Sequence, residues 1–310
     1  RSHLAREAPQ AHAGGDNGAT QGWPHPHPHP ASHLPYCVLG ASPIERTRRV
    51  NSLNKRESAP IENSTIEAQM GHRTIRAFTD EPLTEDELTT LYEVARHTAS
   101  SSFLQQTTII RVTDPVVRER LHAASGQPYV GGTRGELLVF VADQYRNSRI
   151  REEGGVDNAP LHRTNLLLTA LHDALLAAQN VVVAAESMGL GTCYLGSIHA
   201  DPRAVIEALG LPELTFPVLG LLVGHPDQEP QFKPRLPLSV IVAENSYPKV
   251  DSYSELIADY DEIITDYYDM RDTSKRTESF STLVRTTIGV AGAHVSPILE
   301  VLNEQGFALE

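Results

Sequence analysis

Cysteine is scarce in this chain: Cys37 and Cys193 are the two in 310 residues. They make neither a disulfide framework nor a cluster at zinc-ligand spacing. A reducing cytoplasm is the compartment that fits, and no metal site is expected. Cations are also short, since 26 lysines and arginines stand against 39 aspartates and glutamates, for a formal charge of −13 at pH 7. That deficit argues against a general nucleic-acid or acidic-membrane surface, which needs clustered excess lysine and arginine. Any anion site must therefore be local. No apolar run is read as reaching membrane-spanning length, and the first residues lack the charged, apolar and small-residue regions of a secretory signal in that order. A soluble, intracellular protein is expected.

Glycine-rich phosphate loops are missing too. The stretch "GLGTCYLG", Gly189 to Gly196, has its glycines out of register for the dinucleotide fingerprint and no Lys-Ser/Thr ending. It follows an expected helix and precedes an expected strand, the reverse of the order that sets a phosphate on a helix N-terminus. It reads as a helix stop with a tight turn. Ser100, Ser101 and Ser102 lack a nucleophile-elbow context and Cys193 lies inside an expected strand, so hydrolase chemistry is not signalled.

What is present is a 40% apolar chain long enough to bury a full core. Residues 1–60 stand apart, rich in Ala, Pro, Gly, His, Ser and Arg without apolar period, and are expected to form a disordered low-complexity leader. Within it "PHPHPHP", Pro24 to Pro30, favours polyproline II; it reads as a flexible polar segment or as a weak site for zinc, nickel or copper. Because the chain opens on Arg1 rather than Met, the leader is expected to be an overextended frame or a processed terminus.

Order is expected over 61–310, as one domain. Asn63 or Ser64 caps a short helix through Met70, and Thr84 with Glu87 forms a capping box before Leu88, Leu91, Tyr92 and Ala95 on one stripe. "TTIIRVTD" predicts a strand, Asp114 and Pro115 open a helix, and "ELLVFVADQ" predicts a buried strand. Leu161 to Met188 predicts one long apolar helix or a pair in line, central or facing another subunit. Strand "TCYLGSI", a helix opened by Asp201 and Pro202, strand "FPVLGLLVG", a helix over "LIADYDEIITDYYDM" and a last helix from Pro297 to Leu302 complete an α+β order.

Three patches suit an anion: "GHRTIRAF", with His72, Arg73 and Arg76; the serines with Gln105; and "KPRLP", with Lys233 and Arg235 held extended by prolines. Each alone fits a solvated surface as well as a ligand site.

The blocks "GHRTIRAFTDEPLTEDEL", "ASSSFLQQTTIIRVTD", "AAQNVVVAAESMGLGTCYLGSIHADP", "GLLVGHPDQEPQFKPRLP" and "ENSY", in that order, resemble the oxygen-insensitive NADPH nitroreductase and NADPH-dependent flavin reductase family. The resemblance runs from about Asn63 to Phe307. It implies a nitroreductase-like α+β fold, a central mixed sheet flanked by helices, in a homodimer that carries FMN at the subunit interface. It implies FMN-binding roles for His72, Arg73, Thr74 (where Ser is usual), Arg76, Ser100, Ser101, Ser102, Gln127, Tyr194, Leu195, Gly196, Ser197, Lys233 and Arg235. Phe103 would line the substrate mouth, and Arg271, Lys275 and Arg276 would meet NADPH and its 2′-phosphate or else form an exposed loop. Ser197 stands where a second glycine is common, and Ser296 where a relative would have a substrate-pocket arginine.

The implied reaction is ping-pong. NADPH stacks on the flavin and delivers hydride to N5, and a nitroaromatic, quinone or free flavin then takes the same place, with no catalytic side chain named. Two alternatives remain: a flavin reductase supplying reduced FMN to a partner, and a non-catalytic flavin-binding module. A nucleic-acid role for the arginines fits the acidic balance least.

Overall fold

The computed structural model describes residues 61–271, 279–288 and 295–310, all within one unit, Ala41–Glu310. The expected leader, 1–60, and Lys275 and Arg276 lie outside the described residues.

Local capping chemistry sets the first elements. Helix α1, Ser64–Met70, starts at Asn63, whose side chain accepts from Ile66 N at 3.0 Å. Helix α2, Glu85–Arg96, starts at the reciprocal Thr84–Glu87 box and buries Leu88, Leu91 and Ala95. Strand β1, Thr107–Val112, leads to α3, Pro115–Ser125, where Asp114 accepts from Val116 N at 2.7 Å and Gly126, at φ 63°, ends the helix. Strand β2, Glu136–Asp143, is followed by α4, Tyr145–Glu153, which was not expected from the sequence. Its polar stretch "YRNSRIREE" carries no apolar stripe to announce a helix.

Helix α5, Thr164–Ser187, is one continuous helix of 24 residues. Strand β3, Gly191–Leu195, stops earlier than predicted, because Gly196–His199 turns into a 3-10 helix. Then come α6, Pro202–Leu209; β4, Thr215–Gly224; and the short helices α7, Leu238–Ile241, and α8, Tyr253–Leu256. Helices α9, Ala258–Arg271, α10, Phe280–Thr287, and α11, Ile298–Glu304, close the chain.

The sheet runs β1-β2-β4-β3 with every neighbouring pair antiparallel. The parallel part of the expected mixed sheet is reduced, among the described residues, to one bridge between Thr74 and Thr192. Period-2 alternation sorts the strands into two buried faces. Leu138, Phe140, Leu221 and Val223 meet α2 and the alanine-rich side of α5, from Ala170 to Ala185. Leu137, Val139, Cys193 and Leu222 meet Leu121, Val205, Ile75 and Phe78 on the other side. Helices therefore cover both faces of an antiparallel sheet, and β2 has seven buried residues out of eight.

By length and mean hydropathy (1.6 over its best window), α5 is long and apolar enough to cross a bilayer, which corrects the reading that no apolar run reaches that length. In the fold it is a core helix, and 44% of that window is buried inside the protein. The remainder includes a stripe of exposed residues, Leu168, His172, Leu175, Leu176 and Gln179.

Two glycines let the segment after α1 lie directly on the sheet. A Cβ on Gly191 would stand 2.7 Å from Ile75 Cγ1, and one on Gly224 would stand 2.9 Å from Phe78 Cδ1. Real side chains do not pack so close, so Gly191 is a packing residue and Gly189, at φ 83°, is the helix stop. Gly191→Ala is expected to cost about 1–3 kcal/mol of stability through this overpacking, read as a lower urea midpoint with an unchanged slope.

Candidate functional site

The stretch His72 to Thr79 is threaded between β3 and the end of β4. Ile75 N donates to Thr192 O at 2.8 Å, Thr79 N to His225 O at 2.9 Å and Asp227 N to Ala77 O at 2.9 Å. Ile75 and Phe78 are buried, which leaves Arg76 exposed and His72, Arg73 and Thr74 half-buried. His72 Nδ1 lies 2.7 Å from Glu186 Oε1, at the end of α5. Among the described residues Arg73 makes one long contact, 3.7 Å, to the exposed Glu229, and its Nε is buried without a partner there. Arg76 lies over the Tyr129 ring, 5.7 Å from the centroid, a cation–π contact, with no carboxylate partner among the described residues. Arg76 is also close enough to offset slightly the burial that pushes the Cys193 thiol up.

Gln127 and Tyr129 belong to a loop that a buried arginine organises. Arg118 Nε donates to Val130 O at 2.9 Å, Nη1 to Gly135 O at 2.7 Å and Nη2 to Arg134 O at 2.8 Å. It has no carboxylate partner among the described residues, and burial holds its pKa below the usual arginine value. Five guanidinium N–H donors in a fixed fork suit this use, whereas an ammonium cannot span three carbonyls set apart in this way.

The end of β3 supplies the third wall. Tyr194 OH donates to Gln179 Oε1 at 2.9 Å, and burial, with Glu186 adding to it, pushes the phenol well above its ordinary value. Leu195 is buried, while Gly196 is exposed, and a Cβ there would meet nothing within 4 Å. Ser197 Oγ is buried without a partner among the described residues. Next to it, Ser296 Oγ donates to His199 O, so the serine that replaces an expected arginine is tied to this turn.

The structure thus brings His72 to Arg76, the Gln127 loop and Tyr194 to Ser197 together around β3. It does not bring the serines there. Ser101 N donates to Asp173 Oδ1 at 2.8 Å and Gln106 N to Asp173 Oδ2 at 3.2 Å. Asp173 and Glu186 are thirteen positions apart on α5, or about 20 Å at the helical rise. The serine loop is bent sharply: Ser102, Phe103 and Gln105 have φ of 51°, 59° and 50°, backbone that side-chain-bearing residues rarely adopt. Phe103 stands 83% exposed at its tip. Beside the loop opens a cleft of about 850 Å³, whose lining includes Tyr92, Ser100, Leu104, Ile109, Arg146 and Asp173.

Lys233 and Arg235 are exposed on an extended segment, with Arg235 Nη1 donating to Lys233 O at 2.7 Å and Tyr260 OH to Pro234 O at 3.3 Å. The Arg73 contact to Glu229 brings the start of that segment to the motif. Arg271 is the last residue of α9.

Sequence reading missed Asp173, Glu186, Arg118 and Gln179. Asp173 had a signal, a carboxylate in the apolar run "LLLTALHDALLAAQ", because a buried charge needs dedicated partners. The others look like ordinary helix-surface residues until the chain is folded. Asp173→Ala is expected to cost about 1–3 kcal/mol for each backbone donor left unpartnered. Faster hydrogen exchange at the Ser101 and Gln106 amides, measured by NMR, would report it.

Residues 70–225 match the nitroreductase family, and residues 233–310 match the C-terminal domain of that family. An FMN reductase (NADPH) of Bacillus subtilis is 42% identical over 222 residues, 71% of this chain and 89% of that protein. An oxygen-insensitive NADPH nitroreductase of Salmonella typhimurium is 39% identical over 244 residues, 79% of this chain and 98% of its own length. Among solved structures, an NADPH:FMN oxidoreductase from Vibrio harveyi in complex with NAD+ superposes with a TM-score of 0.71 at 36% identity, covering 80% of this chain and all of that one. A nitroreductase from B. subtilis gives 0.74 at 38% identity, over 79% of this chain and all of the other. With its fold, its motif order and these relatives in agreement, the chain belongs to the nitroreductase family.

Proposed function

We propose that this chain is a cytoplasmic NADPH-dependent FMN oxidoreductase whose flavin-binding domain spans 61–310. The observation that carries the reading is a set of cations kept open around β3 in a chain of net charge −13. Arg73 Nε and Ser197 Oγ are buried without partners among the described residues, and Gly196 faces open space. Those groups fit FMN: anion donors for a phosphate, a buried hydroxyl for a polar edge, and a bare backbone surface for a planar ring. The relatives named FMN reductase (NADPH) and NADPH nitroreductase support the same assignment.

When bound, FMN would supply two-electron transfer at N5, taking electrons from NADPH and passing them to a nitroaromatic, a quinone or free flavin in turn. The chain's own residues hold and orient. His72, Arg73, Thr74 and Arg76 would hold the phosphate and ring edge, Lys233 and Arg235 would supply positive charge that favours the reduced flavin, and Gln127 would border the ring. Tyr194, Leu195, Gly196 and Ser197 would form the surface under it. Phe103 borders the acceptor's entrance, and Arg271, Lys275 and Arg276 recognise the 2′-phosphate of NADPH.

Homodimer formation belongs to this reading. The exposed stripe of α5, with Leu168, Leu175 and Leu176, is apolar surface that a second copy would cover. Ser100 to Ser102 sit about 20 Å along α5 from the motif by helical rise, so the serines of one protomer would complete the site of the other.

Purified protein is expected to be yellow, and to bleach quickly with NADPH and slowly with NADH in the absence of oxygen. Flavin present but bleached by neither nucleotide would instead support a binding module. Arg76→Ala and Lys233→Ala are each expected to lower FMN content and activity together, and full FMN occupancy in both would remove the phosphate-and-ring assignment. Leu176→Glu is expected to give a monomer by light scattering that has lost its flavin.

A further inference from the structure

Glu186 occupies a place where a carboxylate needs a reason. It lies in the last turn of α5, next to the helix's negative end, which disfavours an added negative charge. Its side chain is only 13% exposed, so water does little to stabilise it. Among the described residues, two groups hydrogen-bond to it, both at one oxygen: His72 Nδ1 at 2.7 Å and Thr192 Oγ1 at 2.7 Å. Among the described residues, His72 is the one basic side chain in ion-pair range of it.

With Glu186 ionised, its carboxylate accepts and does not donate, so the hydrogen it shares with His72 is carried on Nδ1. That assigns the tautomer, and Nε2 is then the only ring nitrogen His72 can offer a ligand. A neutral ring so held has a lone pair on Nε2, and a phosphate also only accepts. Contact with a phosphate therefore needs hydrogen on both nitrogens, a charged ring, and a carboxylate against Nδ1 compensates that charge. Thr192 keeps the carboxylate from turning away. It is buried, it forms the parallel bridge with Thr74, and its carbonyl takes the Ile75 N–H at 2.8 Å. The backbone of the motif and the ring of its histidine are thus locked to the same residue of β3, one directly and the other through Glu186.

We propose that Glu186 is a positioning residue for cofactor binding, acting through His72 by fixing its ring and supporting its charge where it meets the FMN phosphate. The proposal rests on the reading of His72 as a phosphate contact. Glu186 itself touches no ligand, and its whole effect passes through the imidazole.

The test is a double-mutant cycle, with FMN titrated into the flavin-free full-length chain and followed by quenching of flavin fluorescence. Glu186→Ala is expected to raise the Kd for FMN about tenfold, and Glu186→Gln, which keeps an acceptor oxygen without the charge, by less. In a His72→Ala background both substitutions should change the Kd by less than about twofold, because residues acting as one unit are not additive. Equal losses with and without His72 would overturn the proposal and leave Glu186 as a packing partner of Thr192. An unchanged Kd in His72→Ala alone would remove the phosphate contact itself, and the proposal with it. Glu186→Gln keeps volume and hydrogen-bonding capacity, so the cycle can be closed even where Glu186→Ala does not fold.

Discussion

The burial of one face of α5 against the sheet is the constraint on which the candidate site depends. Ala170, Ala174, Ala177, Ala178, Val181, Val182 and Ala185 line that face, and their small side chains let the helix lie close to β2 and β4. Once the helix is seated, its polar residues have fixed positions and must be satisfied by whatever the chain brings to them. Asp173 collects the backbone of the serine loop. Glu186 collects His72 and Thr192. The bent loop of Ser102, Phe103 and Gln105 would relax in a free peptide, since each left-handed residue costs on the order of 1–3 kcal/mol. It persists because a buried carboxylate holds it at both ends.

The cations of this acidic chain divide into two kinds. Arg111 grips Glu136 with two contacts of 2.8 Å, Arg134 reaches Asp80 at 2.8 Å, and Arg203 engages both Glu300 and Glu304. Those charges are spent within the fold, and at the surface such pairs stabilise by only about 0–1 kcal/mol. Around β3 the arrangement differs. Arg76 rests on an aromatic face, Arg73 has one long contact, and Arg118 is occupied by carbonyls, which organises a neighbouring loop without touching the open cations. A binding surface for an anion needs positive charge held in place but not neutralised, and this combination provides it.

Much of the architecture was legible from short-range chemistry. The Thr84–Glu87 box and the caps at Asn63, Asp114 and Asp201 are where local pattern places them, while the left-handed stops at Gly126 and Gly210 were not read from the sequence. Strands β1, β2 and β4 followed from β-branched and apolar runs. Helix α4 escaped notice because a polar surface helix has no stripe, and α10 because its eight residues directly follow the charged stretch 271–278, which was read as a loop. β3 was read three residues past its end, since nothing local distinguishes "GSI" as strand or 3-10 turn. The family motifs named the residues of the candidate site but were silent on which of them one chain assembles: His72 to Arg76, the Gln127 loop and Tyr194 to Ser197 converge, while the serine loop is held at Asp173, farther along α5.

Taken alone, the amino-acid order determined the elements and the residue types able to hold an anion, because capping, periodicity and turn preference act within a few residues. Only the tertiary structure decided which cations are compensated. His72 and Glu186 are 114 positions apart, and Ser101 and Asp173 are 72 apart. No local pattern encodes such pairs. They exist because a buried helix and a sheet, packed face to face, bring distant polar groups to places from which water is excluded and where each must find a partner.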